Sequence, residues 1–252
     1  MDFTNKKVLI TGAGRGLGKV IAHAYADAGA TIAIHYNSSA KGAEETVNEL
    51  NGNGHCAIQA DISNTAAVKK LIEDAVEKFG RLDIVINNAA VIEYHPFADI
   101  DYETWQQVWT KTIDVNLNAA ANICFCAAKE MMKTGGGRIV NVSSRGAFRG
   151  EPDMPAYGAS KAGMNSMSQS LAQAFAKHNI FVGVVAPGFI ETQRVAHILE
   201  GERGEAIKNQ SPLGRVAKPE EVARAVLFLS MEGTEFMTGA IIDVNGASYL
   251  RT

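Results

Sequence analysis

The chain is poor in cysteine: Cys56, Cys124 and Cys126 are the three in 252 residues. The count is odd, no C-x-x-C spacing occurs, and all three fall in apolar segments, so they read as reduced core residues rather than a disulfide framework. No apolar run approaches the roughly 20 residues that cross a bilayer, and the opening residues, MDFTNKK, lead straight into a strand without a basic and apolar leader. An excess of positive charge is also missing. The formal charge is −3, which removes the electrostatic footprint of a nucleic-acid binder. No repeat, low-complexity tract or linker interrupts the chain, so one domain over 1–252 is expected. These absences leave a cytoplasmic protein with a small-molecule partner, no nucleic acid, no membrane and no metal site.

What is present is ample apolar material, 46% of the residues, in segments that alternate between strand and helix patterns. Strands are expected at 7–11, 31–36, 55–59, 82–86, 138–142, 180–186 and 241–244. Helices are expected at 19–28, 40–50, 65–79, 101–132, 156–177 and 219–230, with Asn64 as the cap and Gly80 as the stop of the third and Pro219 in the first turn of the last. Such alternation implies right-handed crossovers and a doubly wound parallel α/β sheet of about seven strands, with helices on both faces. Residues 189–214 are longer than an ordinary connection and are expected to form a mobile substrate lid.

The first strand runs into a glycine turn with the spacing Thr11-Gly12-x-x-x-Gly16-x-Gly18 and then a helix. Glycines admit a pyrophosphate close to the backbone, and the helix start favours its charge; a turn needed only for helix–strand packing would look the same. Leu17 stands where a G-x-G-x-x-G pattern has its last glycine. At the end of the second strand Tyr36 holds the place where an acidic residue commonly meets the adenosine ribose. Without that carboxylate a 2′-phosphate is accommodated, and Arg15, Asn37 and Ser38 are placed to bind it. NADP(H) is therefore favoured and NAD(H) remains possible. Asp61 either accepts from an adenine amino group or orders the chain into the following helix. Asn87, Asn88, Ala89 and Ala90 permit close backbone approach. His95 lies in a loop, 91–100, that could wall a pocket, and a lone loop histidine is a lining residue before it is a base. Asn116, in an alanine-rich apolar stretch, requires a partner, water or backbone.

The stretch 138–163 carries the chemistry. Its strand delivers Ser143 and Ser144 to the carboxyl end of the sheet, where ligands of open α/β sheets bind. Tyr157 and Lys161, four apart on a helix, share one face. A cation close to a phenol favours the phenolate, and bringing tyrosine near neutrality takes roughly 3–4 kcal/mol of preferential stabilisation. That suits general acid–base work at neutral pH. Alone, Y-x-x-x-K describes many solvated helix pairs; it gains weight from Ser144 and the nucleotide-binding first half.

Taken together, Thr11-Gly12-x-x-x-Gly16-x-Gly18, Asn87-Asn88-Ala89, Asn116, Ser144, Tyr157-x-x-x-Lys161 and Pro187-Gly188 with Thr192 resemble the short-chain dehydrogenase/reductase family over nearly the whole chain. The segments TGAGRGLG, IHYNSS and APGFIET are most similar to 3-oxoacyl-[acyl-carrier-protein] reductases. The resemblance implies a Rossmann fold and an NADPH-dependent carbonyl reductase in which Tyr157 is the general acid, Ser144 polarises the carbonyl, and Lys161 tunes the tyrosine and holds the nicotinamide ribose. It further implies that Asn116 holds a water linked to Lys161, that Gly12 to Gly18 meet the pyrophosphate, that Asp61 and Ile62 contact adenine, and that Asn88 and Ala89 line the cofactor. Pro187, Gly188, Ile190 and Thr192 belong to its nicotinamide end. Ser143 is left structural. A homotetramer is implied too, with the helices around Asn116 and Tyr157 packed on a partner. An acyl carrier protein would find Lys177, Arg145 and Arg149 as docking residues, and Arg145, Arg149 and Arg194 could select an anionic substrate. Ala90 departs from the family's glycine, and the segment between Trp105 and Asn116 is longer than is common. The alternatives are a dehydrogenase of a secondary alcohol, sugar or steroid, and a nucleotide-binding protein without catalysis.

Overall fold

Short runs of branched apolar residues form the inner strands, because those are covered on both faces and need no alternation. A computed structural model describes residues 1–193 and 195–251. Its elements are β1 (Lys7–Ile10), α1 (Gly16–Asp27), β2 (Thr31–Tyr36), α2 (Ala40–Glu49), β3 (Cys56–Gln59), α3 (Thr65–Phe79), β4 (Ile84–Asn87), α4 (Tyr102–Ile113), α5 (Ala119–Lys133), β5 (Gly137–Val142), α6 (Gly146–Arg149), α7 (Pro155–Phe175), β6 (Ile180–Pro187), α8 (Gly201–Lys208), α9 (Pro219–Ser230) and β7 (Ile241–Val244). All strand pairs are parallel, in the order β3-β2-β1-β4-β5-β6-β7. The expected doubly wound sheet of seven strands is present. The chain reverses direction across the sheet between β1 and β4, which opens a crevice at their carboxyl ends.

Two apolar layers cover the sheet. One joins Val8, Ile10, Ile32 and Ile34 of the strands to Ile21 and Tyr25 of α1 and Val222 and Val226 of α9. The other joins Leu9, Val85, Ile139 and Val182 to Leu71 and Ile72 of α3, Ile123 and Met131 of α5 and Ala172 of α7. Tyr25 is buried, and its hydroxyl meets Ser230 Oγ, so the first and last long helices are joined by a satisfied polar contact within their apolar interface.

The differences from the sequence-based elements are local. α1 begins at Gly16, not Lys19, so Gly18 lies within the helix; it tolerates that because its backbone is closely approached, and an added Cβ would stand 2.6 Å from Asn88 Nδ2 and from the Gly12 carbonyl. β4 starts at Ile84 rather than residue 82. The expected helical stretch over 101–132 is helical throughout, from Tyr102 to Lys133, but carries a π-turn at Asp114–Asn118 that separates α4 from α5. Segment 189–214, expected as a lid, contains α8 and a short 3₁₀ turn, Ala196–Ile198. Cys124 is buried, whereas Cys56 and Cys126 are only half-buried. No described helix is long and apolar enough to cross a membrane, and no cluster of metal-ligating side chains occurs among the described residues.

Asn64 caps α3 through Oδ1, which accepts from the N–H groups of Ala66 and Ala67 at 2.9 and 3.2 Å. Asn64→Ala is expected to cost about 1 kcal/mol, lowering the thermal midpoint by roughly 2–4 °C for a domain of this size; an unchanged calorimetric midpoint would show that the cap contributes nothing.

Candidate active site

At the crevice the ends of β1 and β4 are tied together by side chains in addition to the backbone bond from the Thr11 N–H to the Ile86 carbonyl. Thr11 Oγ1 accepts from the N–H groups of Asn88 and Ala89, both at 3.0 Å, and Asn88 Nδ2 donates to the carbonyls of Thr11 and Gly12. Gly12 has φ +65° and Gly16 φ +57°, a left-handed backbone region that glycine enters without strain. α1 then starts without a side-chain cap and without an acidic residue in its first turn. Its first N–H groups are therefore left for an anion outside the chain, and open space lies over Gly16. The turn fits a dinucleotide pyrophosphate.

A residue that the sequence reading passed over holds this turn. His35, buried in β2, accepts from the Gly12 N–H at Nδ1 (3.2 Å), and its Nε2 meets the Ala60 carbonyl at 3.0 Å. Burial pushes its pKa down, so the ring is neutral, with the proton on Nε2 and the acceptor toward Gly12. The sequence signal was a histidine inside an otherwise apolar strand. Beyond it, Tyr36 is half-buried while Asn37, Ser38 and Arg15 are exposed at the rim. Asp61 accepts from the backbone and hydroxyl of Ser63 at 3.0 and 2.8 Å, which favours the chain-ordering reading of that carboxylate, and Ile62 packs in the core beneath it.

On the other side of the crevice β5 delivers Ser143 and Ser144. Ser143 is buried and its hydroxyl donates to the Lys161 carbonyl at 3.3 Å, a structural use. Ser144 is half-buried and its Oγ accepts from the Gly146 N–H at 3.0 Å. α7 lies alongside, with Tyr157 and Lys161 four residues apart. The Lys161 Nζ is 5.8 Å from the Tyr157 ring centroid and donates to the Val142 carbonyl at 2.7 Å. Lys161 is buried, and desolvation pushes its pKa down to about 8.

Asn116 sits in the π-turn, fully buried. Its Oδ1 accepts from the Val91 N–H at 2.8 Å, and its Nδ2 donates to the Val91 carbonyl at 2.9 Å and to Ser160 Oγ at 3.2 Å. The amide is thus bonded both to the Val91 backbone and to the Ser160 hydroxyl. π-turns are rare and, where they occur, are frequently at functional sites; this one carries Asn116, which bonds to Ser160 of α7, the residue before Lys161. His95 is another strut: buried, it is hydrogen-bonded at Nδ1 to the Glu93 carbonyl (2.7 Å), and its Nε2 accepts from the Ala156 N–H (3.3 Å), satisfying a free donor at the start of α7. The loop histidine thus positions the helix that bears Tyr157.

Downstream of β6, the chain at Phe189–Glu191 is zipped to Ala217, through Glu191 N–H to the Ala217 carbonyl and Ala217 N–H to the Phe189 carbonyl. Pro187, Gly188, Ile190 and Thr192 lie at this base, half-buried or, for Pro187, in the last position of β6. Arg145 is not the exposed docking residue expected of it: it is buried, and its guanidinium, at the edge of a cavity, bonds to internal partners. Arg149 is exposed and lies 3.8 Å from Glu151, and Lys177 is exposed. Arg194 lies outside the described residues.

Comparison with known proteins gives the family. The family model described as enoyl-(acyl carrier protein) reductase matches residues 12–247. The 3-oxoacyl-[acyl-carrier-protein] reductase FabG of Staphylococcus aureus is 34% identical over 247 residues, 97% of this chain and 98% of that protein. FabG of Chlamydia trachomatis is 32% identical over 244 residues, 96% of each chain. An uncharacterized oxidoreductase of Thermotoga maritima is 37% identical over 255 residues, 98% of this chain and 99% of that protein. With the crevice, the glycine turn and the Ser144–Tyr157–Lys161 cluster at the same sheet edge, the chain belongs to the short-chain dehydrogenase/reductase family and is an oxidoreductase acting on a carbonyl or hydroxyl group.

Proposed function

We propose that the protein is an NADPH-dependent reductase of 3-oxoacyl thioesters. The observation that carries this reading is the buried Lys161 ammonium held behind Tyr157 at the end of the strand that bears Ser144. When bound, the nicotinamide would supply hydride for the carbonyl carbon. Tyr157 gives its phenolic proton to the carbonyl oxygen, which closes the balance: two electrons and two hydrogens are added, and an alcohol leaves. Ser144 donates to the same oxygen and polarises it before hydride arrives. Lys161 favours the phenolate that remains and holds the nicotinamide ribose, and Asn116 keeps the water that returns a proton.

The turn from Gly12 to Gly18, Leu17 included, holds the pyrophosphate, and Asn88 and Ala89 form the wall beyond it. Tyr36, with no carboxylate to repel a phosphate, supports the choice of NADPH over NADH; Arg15, Asn37 and Ser38 bind the 2′-phosphate. Asp61 and Ile62 flank the adenine. Pro187, Gly188, Ile190 and Thr192 bound the nicotinamide end, and residues 189–214 act as the substrate lid. The thioester assignment leans on the FabG relatives, whose names give an acyl-carrier-protein substrate; an acyl carrier protein is accordingly the proposed partner, with Arg149 and Lys177 as its exposed cations. Phe125 and Met132, exposed on α5, support a face that packs on another copy in a homotetramer.

The deciding assay is the initial rate of NADPH oxidation with a short 3-oxoacyl thioester, run beside the matching enoyl thioester and beside NADH. Turnover of the 3-oxo compound with NADPH supports the reading, and turnover of the enoyl compound alone overturns it. Tyr157→Phe is expected to cut kcat by about 10²- to 10⁴-fold while the Kd for NADPH stays within about twofold; retained turnover would remove Tyr157 from the acid role. For Arg15→Ala we expect KM for NADPH to rise about tenfold, the equivalent of one charge-assisted contact, with KM for NADH unchanged, and an equal rise for both cofactors would contradict the phosphate role. The depressed pKa of Lys161 carries its own sign. A lysine near 8 folded and 10.4 unfolded opposes folding by about 3 kcal/mol at pH 7, a cost relieved as pH rises from 8 toward 10.5. Lys161→Met is therefore expected to gain stability relative to the parent at pH 7 and to lose most of that gain by pH 10, read from urea midpoints; a difference independent of pH would refute the shift.

A further inference from the structure

Arg145 follows Ser144 in the chain and is buried to 97%, being 3% exposed. Its N–H donates to the Pro187 carbonyl at 2.8 Å. Its guanidinium joins three other places in the fold: Nη1 donates to Ser248 Oγ and Nη2 to Gln210 Oε1, both at 2.5 Å, and the group stands 5.1 Å from the Phe189 ring centroid. Phe189 and Gln210 lie near the two ends of segment 189–214, and Ser248 belongs to the loop after β7. A second tie, Ser211 Oγ to the Gly246 carbonyl at 2.6 Å, joins the same two segments. Arg145, Phe189, Ile207, Val216 and Ser248 line a cavity of about 100 Å³ between them.

A buried guanidinium ordinarily takes a carboxylate, yet among the described residues Arg145 has no acidic side chain within ion-pair distance, and the bonds it makes are to neutral acceptors. That choice has a mechanical consequence. Detaching Gln210 and Ser248 breaks two charge-to-neutral hydrogen bonds but also returns the cation to water, so the loss is offset by hydration. An ion pair at the same place would strand a carboxylate as well.

We infer that Arg145 is a positioning residue that couples closure of segment 189–214 to the placement of Ser144, one residue away on the same strand end. This rests on the reading of that segment as a substrate lid and of Ser144 as the carbonyl-polarising group. The reporter for Ser144 is the Gly146 N–H, which donates to its Oγ, so the test does not depend on turnover.

Hydrogen–deuterium exchange of the full-length protein, with and without NADPH, is compared for the parent, Gln210→Ala and Arg145→Lys. Gln210 is exposed, so its replacement leaves folding intact even if Arg145→Lys does not. The expected result is exchange at least fivefold faster in α8 and in residues 146–149 together, with α9 unchanged. In the thioester assay kcat then falls about tenfold while the Kd for NADPH stays within twofold. Faster exchange in α8 alone, no change in either place, or an equal rise in α9 each overturns the coupling. A parent enzyme inactive on 3-oxoacyl thioesters defeats the proposed substrate and leaves the exchange result to decide the coupling.

Discussion

Lys161 places a cation in the interior of the protein, with its ammonium held by the Val142 carbonyl at the end of β5. Water would solvate that charge far better than the protein does, and its lowered pKa records the difference. The fold sustains the burial because α7 is fixed against the sheet from several directions. Ser143 bonds to the Lys161 backbone, Asn116 bonds through Ser160, and His95 satisfies the start of the helix. Each of these groups is buried and polar, and each has its partner, the condition under which a polar interior is tolerated. Free energy is spent at this point to keep a cation beside a phenol, and the apolar layers on the two faces of the sheet supply it.

The opposite half of the crevice follows the same logic with less charge. Thr11, Asn88 and His35 spend their polar groups on backbone around the glycine turn. They hold a turn whose own N–H groups, at the start of α1, remain directed outward. A helix start without a cap is unfavourable in isolation; here it makes an anion the fitting partner. The glycine turn therefore presents donors that a bound anion would satisfy, whereas the polar groups around Lys161 are satisfied within the chain.

Much of this was legible in the sequence, because its signals are local. The cap and stop of α3, Asn64 and Gly80, act within a few residues of the ends they define. The glycine turn, the Tyr157–Lys161 spacing and Asn116 were recognisable because glycine conformation, helical periodicity and an amide among alanines are properties of short windows. Where local signals run out, the differences begin. The break between α4 and α5 has no proline or glycine to announce it, since a π-turn costs one misplaced hydrogen bond and that cost is met by contacts to Val91 and Ser160, which are distant in the chain. Arg145 reads as a surface cation by composition and is buried because Gln210 and Ser248, 65 and 103 residues further on, converge on it.

The sequence by itself determined the alternation of strands and helices, hence a parallel doubly wound sheet, and the identity of the residues brought to its carboxyl edge. Hydrophobic run length and backbone propensity act between near neighbours, so no folding was needed to read them. Tertiary structure alone decided what each polar side chain is spent on. His35 serves the glycine turn, His95 serves α7, Ser143 serves the backbone and Arg145 joins three segments. A donor's partner is set by distance in space, and packing brings together groups that the chain keeps far apart.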